Sequence, residues 1–180
     1  MQIDLSEFNE ELSSISNRIK EKVKRLEEEM LLDESLYEFQ LDNYENSKIV
    51  SLKETEGIYI FYIKRDILDD FKKKWGEKIG RHSPKIIEED KRIDKHKNGK
   101  SEWIPLYIGK SKKVKSRIKE HITLKKKQTT SSMKLRERKE FDKDKFAIRI
   151  IPLNTEHYDF IAHPVESELR KLLNPIVGKK

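Results

Sequence analysis

The run Gly-Ile-Tyr-Ile-Phe-Tyr-Ile at residues 57–63 constrains the fold of this chain more than any other segment. Only 34% of the 180 residues are hydrophobic and 41% are charged, so seven consecutive uncharged residues are unusual here. Successive side chains of a strand point to opposite faces of a sheet, and in this run both faces are apolar. The run therefore predicts a β-strand that is buried on both faces.

Other segments predict further strands and helices, which alternate along the chain. Two more strands are expected at residues 103–108 and 145–152. Helices are expected at 4–31, at 66–79, at 112–125 with Ser111 as the N-cap, and from Pro164 onward, with a short helical turn around Met133 and Leu135. Residues 80–100 are charged and interrupted by Gly and Pro, which is typical of a loop that is partly mobile.

The first predicted helix has an apolar stripe that repeats at steps of three and four residues. It consists of Leu5, Phe8, Leu12, Ile15, Ile19, Val23, Leu26 and Met30. Such a stripe packs either against its own domain or against a second copy, since the repeat extends over almost four heptads. Both interpretations remain open from the sequence.

Charge is distributed unevenly along the chain. Residues 1–50 hold 13 acidic and 6 basic residues, whereas residues 110–145 hold 15 basic and 5 acidic residues, a net charge of +10. A segment this basic favours a polyanionic partner, either nucleic acid or an anionic membrane surface, although a solvated lysine-rich surface has the same composition.

Several classes of protein are excluded by composition. The absence of cysteine excludes disulfides, thiolate zinc sites and cysteine nucleophiles. No apolar run approaches the roughly 20 residues that span a bilayer, and the acidic start of the chain does not resemble a signal peptide. We therefore expect a cytoplasmic protein without membrane segments.

A few residues have side chains suited to catalysis at a cleft. Arg117 and His121 are four residues apart, so they share one face of the basic helix, at the border of its buried stripe. Tyr59 and Tyr107 each lie in a strand close to a glycine, and Glu166 offers the hard oxygen that Mg²⁺ prefers. Each residue alone also fits an ordinary structural role.

Together these residues resemble the signature of the GIY-YIG nuclease family. Gly57-Ile58-Tyr59 and Tyr107-Ile108-Gly109 are similar to its two halves. Arg117 follows Gly109 by eight residues, and Glu166 precedes Pro175 by nine, as the family pattern requires. The similarity covers a little under half of the chain.

The resemblance implies an α+β fold in which helices flank a small three-stranded antiparallel sheet. Residues 1–50 would form an N-terminal helical arm, and residues 51–180 a catalytic domain. In this chain 47 residues separate Tyr59 from Tyr107, whereas the family usually joins the two motifs by a short hairpin. Residues 65–102 are therefore interpreted as an insertion. It would contact DNA, contribute to a dimer interface or be a surface segment without a functional role. An Asn that often follows the family's Pro by three residues is absent, and Gly178 is in its place.

The resemblance also implies roles for the site residues. Glu166 would hold one Mg²⁺ or Mn²⁺ per site, and Arg117 would neutralise the scissile phosphate. Tyr59 would orient or deprotonate the attacking water with support from His121, either of them being the general base, and Tyr107 would hydrogen-bond the water or a phosphate oxygen. The expected DNA-binding residues are Lys110, Lys112, Lys113, Lys115, Lys125, Lys126 and Lys127.

Three functions follow from the sequence as hypotheses. The first is a homodimeric restriction endonuclease of type II that cuts specific sites in double-stranded DNA. The second is a nuclease of low or structural specificity that acts in repair, in mobile elements or in phage defence. The third is a nucleic-acid-binding protein without catalysis, for which a glutamate in a positive cleft would have no purpose.

Overall fold

A four-stranded antiparallel sheet forms the centre of the protein. The structure is a computed structural model that describes residues 8–32, 36–76, 82–87 and 91–178. The strands of this sheet lie in the order β1-β5-β2-β4, and a separate small sheet pairs β3 with β6. The strands are β1 (Tyr37–Gln40), β2 (Gly57–Lys64), β3 (Lys85–Ile86), β4 (Trp103–Ser111), β5 (Lys145–Pro152) and β6 (Val177–Gly178).

Five α-helices accompany the strands in the described part of the chain, so the predicted α+β class is confirmed. They are α1 (Asn9–Leu32), α2 (Phe71–Trp75), α3 (Arg92–Lys97), α4 (Val114–Thr123) and α5 (Tyr158–Leu173). Short 3₁₀ turns connect several elements. Among the described residues, no helix combines the length and apolarity needed to cross a membrane.

The strand predicted at residues 57–63 is β2, and it is buried on both faces as expected. It pairs antiparallel with β4 on one side and with β5 on the other. On one face, Ile58 and Ile60 join an aliphatic cluster with Val165 and Leu169 of α5. On the other face, Tyr59 and Phe61 belong to the main core that α4 covers.

The prediction of a three-stranded sheet is wrong, because β1 adds a fourth strand beside β5. Only Phe39 of its four residues is buried, so the local pattern is too short to indicate a strand. The pairing with β5 therefore decides its conformation. The segment predicted as an N-terminal arm thus contributes a strand to the central sheet.

Helix α1 behaves differently in its two halves. In the second half, Val23 is buried and Leu26 and Met30 pack against the aliphatic cluster, as does the half-buried Ile19 at the end of the first half. In the first half, Leu12 and Ile15 are exposed, as is Phe8 immediately before the helix. Leu5 lies outside the described residues. Packing against the rest of the chain is therefore confirmed for the second half of the stripe only.

The last helix begins earlier than predicted. Helix α5 starts at Tyr158, and Pro164 lies inside it rather than in its first turn. Proline is common at the first turn, which led to the wrong start. Glu166 consequently lies in the middle of the helix, so the positive end of the helix dipole does not explain its presence.

The segment predicted as an insertion contains short ordered elements. Helix α2 and the 3₁₀ turn at Arg65–Asp69 replace the continuous helix predicted at 66–79, whose last residues lie outside the described part. The predicted loop at 80–100 contains β3 and α3, so that prediction is wrong for these residues. Arg65 holds the end of this segment by hydrogen bonds to the carbonyls of Lys97 and Ser101.

Candidate active site

The two tyrosines of the sequence motif lie on neighbouring strands. Tyr59 of β2 is opposite Gly109 of β4, and its ring stacks on Tyr107 with 6.3 Å between the ring centroids. A Cβ atom on Gly109 would overlap the Tyr59 hydroxyl. A glycine is therefore required at position 109 because the tyrosine hydroxyl lies directly against its backbone.

Gly57 is required for a similar reason at the start of β2. A Cβ atom there would overlap the carbonyl oxygen of Ile151 on the neighbouring strand β5. The glycines of both tripeptides thus permit close approaches inside the sheet, and no positive φ angle is involved at either one.

His121 fixes the position of the Tyr59 hydroxyl. It is fully buried on α4, and its Nε2 atom lies 3.0 Å from the Tyr59 hydroxyl. Its other ring nitrogen, Nδ1, accepts the backbone N–H of Met133 at 3.1 Å. Because Nδ1 is an acceptor, the neutral ring carries its proton on Nε2 and donates it to Tyr59.

Burial keeps this cluster neutral in the free protein. It lowers the pKa of His121 well below its usual value, and the Arg117 cation lowers it further. Burial also raises the pKa of Tyr59 well above its usual value, an effect that Tyr107 reinforces and Arg117 opposes. Both groups are therefore uncharged at neutral pH, and the proton of Tyr59 points away from His121.

Arg117 lies one helical turn before His121 and is half-buried beside the same hydroxyl. It forms an ion pair with Glu120 and donates to the carbonyl of Ser131 at 3.2 Å. Its charge acts on Tyr59 and on Tyr107, in each case lowering the tyrosine pKa. A guanidinium in this position is a ready partner for an anion that enters from solvent.

Glu166 approaches the tyrosines from α5, on the other side of the sheet edge. Its carboxylate lies 3.9 Å from the Lys110 ammonium and 3.6 Å from Nε of Arg170. Its side chain is 14% exposed, so it is screened from bulk water without being fully enclosed. These separations exceed hydrogen-bond length, and the Nε atom of Arg170 is buried without a hydrogen bond.

The donors at this position fit a hard divalent cation. Mg²⁺ is commonly bound by one or two carboxylates and keeps several water ligands. Among the described residues, no group of three or more His, Cys, Asp and Glu side chains is arranged for metal binding. Glu166 is the metal ligand that the sequence predicts here.

The predicted DNA-binding lysines lie at the two ends of α4. Lys110 lies next to Glu166, whereas Lys112 pairs with Asp159 at 2.6 Å. Lys113 and Lys115 flank the start of α4. Lys125, Lys126 and Lys127 lie in the turn that follows the helix, where they are partly or fully exposed. Lys110 is therefore the lysine of this set that belongs to the candidate site itself.

The N-terminus of α4 is capped by a residue that the sequence did not indicate. Glu54 accepts the backbone N–H groups of Lys115 at 2.7 Å and Ser116 at 3.3 Å. Ser111, predicted as the N-cap, instead ends β4 and accepts the N–H of Lys113. The prediction failed because the capping carboxylate is distant in sequence.

All five predicted catalytic residues meet at one edge of the sheet, and Lys110 joins them. Sequence reasoning missed Arg170 and the backbone of Met133. Arg170 was detectable, because it follows Glu166 by four residues and shares its helix face. The hydrogen bond from Met133 had no sequence signal, since a backbone N–H is available at almost every position.

The candidate site lies apart from the groove lined by Tyr62 and Trp103. This groove has a volume of about 620 Å³, has Arg149 among its other lining residues and includes none of the predicted catalytic residues.

No protein-family model, curated protein or solved structure matches this chain. The resemblance to the GIY-YIG family therefore stays a prediction that rests on the motifs and their spacing.

Proposed function

We propose that this protein is a metal-dependent endonuclease that hydrolyses DNA phosphodiester bonds. The observation that carries the proposal is the meeting of Tyr59, Tyr107, Arg117, His121 and Glu166, which come from four different elements of the chain. A general structural role would explain any one of them. A structural role does not explain why the partly exposed carboxylate of Glu166 lies among the cations Lys110 and Arg170. Nor does it explain why two buried tyrosines lie beside it.

Each residue then has a role that its surroundings support. Arg117 stabilises the negative charge that develops on the phosphate, because its half-buried guanidinium acts in a medium of low dielectric constant. Tyr107 is slightly more exposed than Tyr59 and donates to a phosphate oxygen or to the attacking water. Glu166 holds Mg²⁺ or Mn²⁺, which supplies Lewis-acid charge at the phosphate.

The hydrogen bonds of His121 favour Tyr59 over His121 as the general base. One ring nitrogen accepts the Met133 N–H and the other donates to Tyr59, so His121 has no free lone pair for water. We therefore assign this role to Tyr59, which acts in two balanced steps: it first releases its own phenol proton to solvent, and the resulting phenolate then accepts one proton from the attacking water. His121 stabilises the phenolate by hydrogen bonding, and Arg117 stabilises it by charge.

Cleavage of a long unmethylated DNA tests this proposal. We expect the purified protein to cut it with Mg²⁺ and not with EDTA. Discrete fragments indicate the restriction type, which we favour, and a metal-dependent smear indicates a nuclease of low specificity. DNA binding without cleavage in Mg²⁺ or Mn²⁺ would contradict the proposal and support a non-catalytic binding protein.

The salt dependence of binding tests the expected DNA-binding surface. Replacing Lys125, Lys126 and Lys127 by Gln should reduce the slope of log affinity against log salt by about one unit for each DNA phosphate that is no longer neutralised. The matched control replaces Lys20, Lys22 and Lys24, which are exposed on α1. Equal slopes for the two triple variants would exclude the turn after α4 as part of the DNA-binding surface.

A further inference from the structure

The apolar stripe of α1 continues beyond the part of the helix that packs on the sheet. Phe8, Leu12 and Ile15 are 46%, 48% and 38% exposed, whereas Val23, on the same stripe, is buried. Three large apolar side chains in consecutive turns form a continuous exposed strip that water solvates poorly. Such a strip indicates a surface that another molecule covers.

The spacing of the strip is that of a coiled-coil seam. Phe8, Leu12, Ile15 and Ile19 follow one another at steps of four, three and four residues, which alternate as the d and a positions of a heptad. When two such helices pack antiparallel, a positions face d positions. Leu12 then lies opposite Ile15 of a second copy, and Phe8 lies opposite Ile19.

Charges beside the strip select this antiparallel arrangement. Glu11 and Arg18 occupy the equivalent g positions that flank the seam, and neither has an ion-pair partner within the described part of its own chain. In the antiparallel register Glu11 faces Arg18 of the second copy, and two-fold symmetry repeats the pair. In a parallel register Glu11 faces the uncharged Ser16, so the pair does not form.

A groove beside the strip is positioned to receive the end of the second helix. It has a volume of about 510 Å³ and apolar walls, which include Ile15, Ile19, Leu26, Ile151, Leu153 and Ile161. Because Phe8 of the second copy lies opposite Ile19, its ring is next to this groove. The strip therefore has both a complementary seam and a recess for its largest side chain.

We propose that the exposed Phe8, Leu12 and Ile15, with the half-buried Ile19 at their margin, form the interface of a two-fold homodimer in which the first halves of two α1 helices pack antiparallel. The interface lies on the aliphatic side of the sheet and uses no residue of the candidate active site. Its test is therefore independent of whether the protein cleaves DNA. If the proposed function holds, the same symmetry supplies two sites for the two DNA strands.

Sedimentation of the full chain tests the interface. The monomer has a mass of 21.6 kDa, and we expect the wild type to sediment at twice this mass at micromolar concentration. The double variant Leu12→Glu/Ile15→Glu should be monomeric. The control Val50→Glu changes an apolar residue that is 42% exposed elsewhere and should remain dimeric. A monomeric wild type, or a dimeric double variant, would overturn the proposal.

Charge reversal tests the orientation of the two helices. Glu11→Arg and Arg18→Glu should each weaken the dimer about tenfold, because each places like charges opposite one another twice. The double variant Glu11→Arg/Arg18→Glu should restore the wild-type dissociation constant. Failure of the double variant to restore it would exclude the antiparallel pairing.

Discussion

The two faces of β2 differ in chemistry, although the strand is apolar throughout. Ile58 and Ile60 point to the side of α1 and α5, where they pack in the aliphatic cluster. Tyr59 and Phe61 point to the side of α4, where both rings lie 5.5 Å from the ring of His121. One strand thus stabilises the sheet with alternate residues and builds the candidate site with the others.

Because the two faces of β2 differ in this way, we expect stability and activity to respond to different substitutions. Aliphatic burial depends on volume and tolerates no polar group, so changes on the α1 side should act on the free energy of unfolding. The α4 side holds polar groups with fixed hydrogen bonds, so changes there should act on the reaction. Cleavage rates and unfolding free energies, measured on the same variants, therefore distinguish the two faces.

The largest effect on the α4 side is expected for Arg117→Met. This variant keeps the aliphatic stem and removes the charge beside Tyr59. We expect the single-turnover rate of DNA cleavage to fall roughly 10²- to 10³-fold, because the transition state no longer has a preorganised charge beside it. Lys119→Met, on the exposed side of the same helix, is the control, and equal decreases in both variants would contradict the assignment.

Ile60→Ala should have the opposite profile. Ile60 of β2 is fully buried where the sheet packs against α5. Its truncation should therefore lower the free energy of unfolding by about 2–5 kcal/mol. The cleavage rate of the folded fraction should not change. Urea unfolding with Val50→Ala as the exposed control measures the first quantity. An Ile60→Ala variant with the stability of the wild type and impaired cleavage would contradict this difference between the two faces.

The buried His121 on the α4 side should make the free energy of unfolding depend on pH. Its pKa is lowered by burial in the folded protein, so the unfolded chain binds a proton first as the pH falls below about 6.5. The free energy of unfolding should therefore decrease between pH 7.5 and 5.0, by up to about 2 kcal/mol from this group. Above roughly pH 7.5 both states are neutral and the contribution is constant.

The variant His121→Gln isolates that contribution, because it removes the titrating group and keeps an amide near Tyr59. Its urea unfolding free energy should decrease less than that of the wild type between the same two pH values. Equal decreases in both proteins would show that His121 does not titrate on unfolding in this range.

The three predicted strands were accessible from the sequence because two are apolar runs in a highly charged chain and the third, at 145–152, alternates. β1 was not, since its four residues contain one buried side chain and the strand forms only by pairing with β5. The start of α5 was misplaced because Pro164 lies inside the helix.

The candidate site, like the fold, could be predicted from the sequence only in part. The spacing of Tyr59, Tyr107 and Glu166 was visible in the sequence, and the fold brings them together. The hydrogen bonds that orient the site were not visible. Glu54 caps α4, and the backbone N–H of Met133 fixes the His121 tautomer. Each of these interactions joins two positions that come close to each other only in the folded chain.

The central claim is that Glu166 supports metal-dependent chemistry beside the tyrosines, and a pair of isosteric variants tests it most directly. Glu168 lies on the same helix and pairs with Lys171 at 2.6 Å, so Glu168→Gln is the matched control for Glu166→Gln. We predict that Glu166→Gln reduces the single-turnover cleavage rate in Mg²⁺ by roughly 10³-fold or more, with DNA binding intact. Glu168→Gln should cleave at the wild-type rate. Wild-type cleavage by Glu166→Gln would contradict the account.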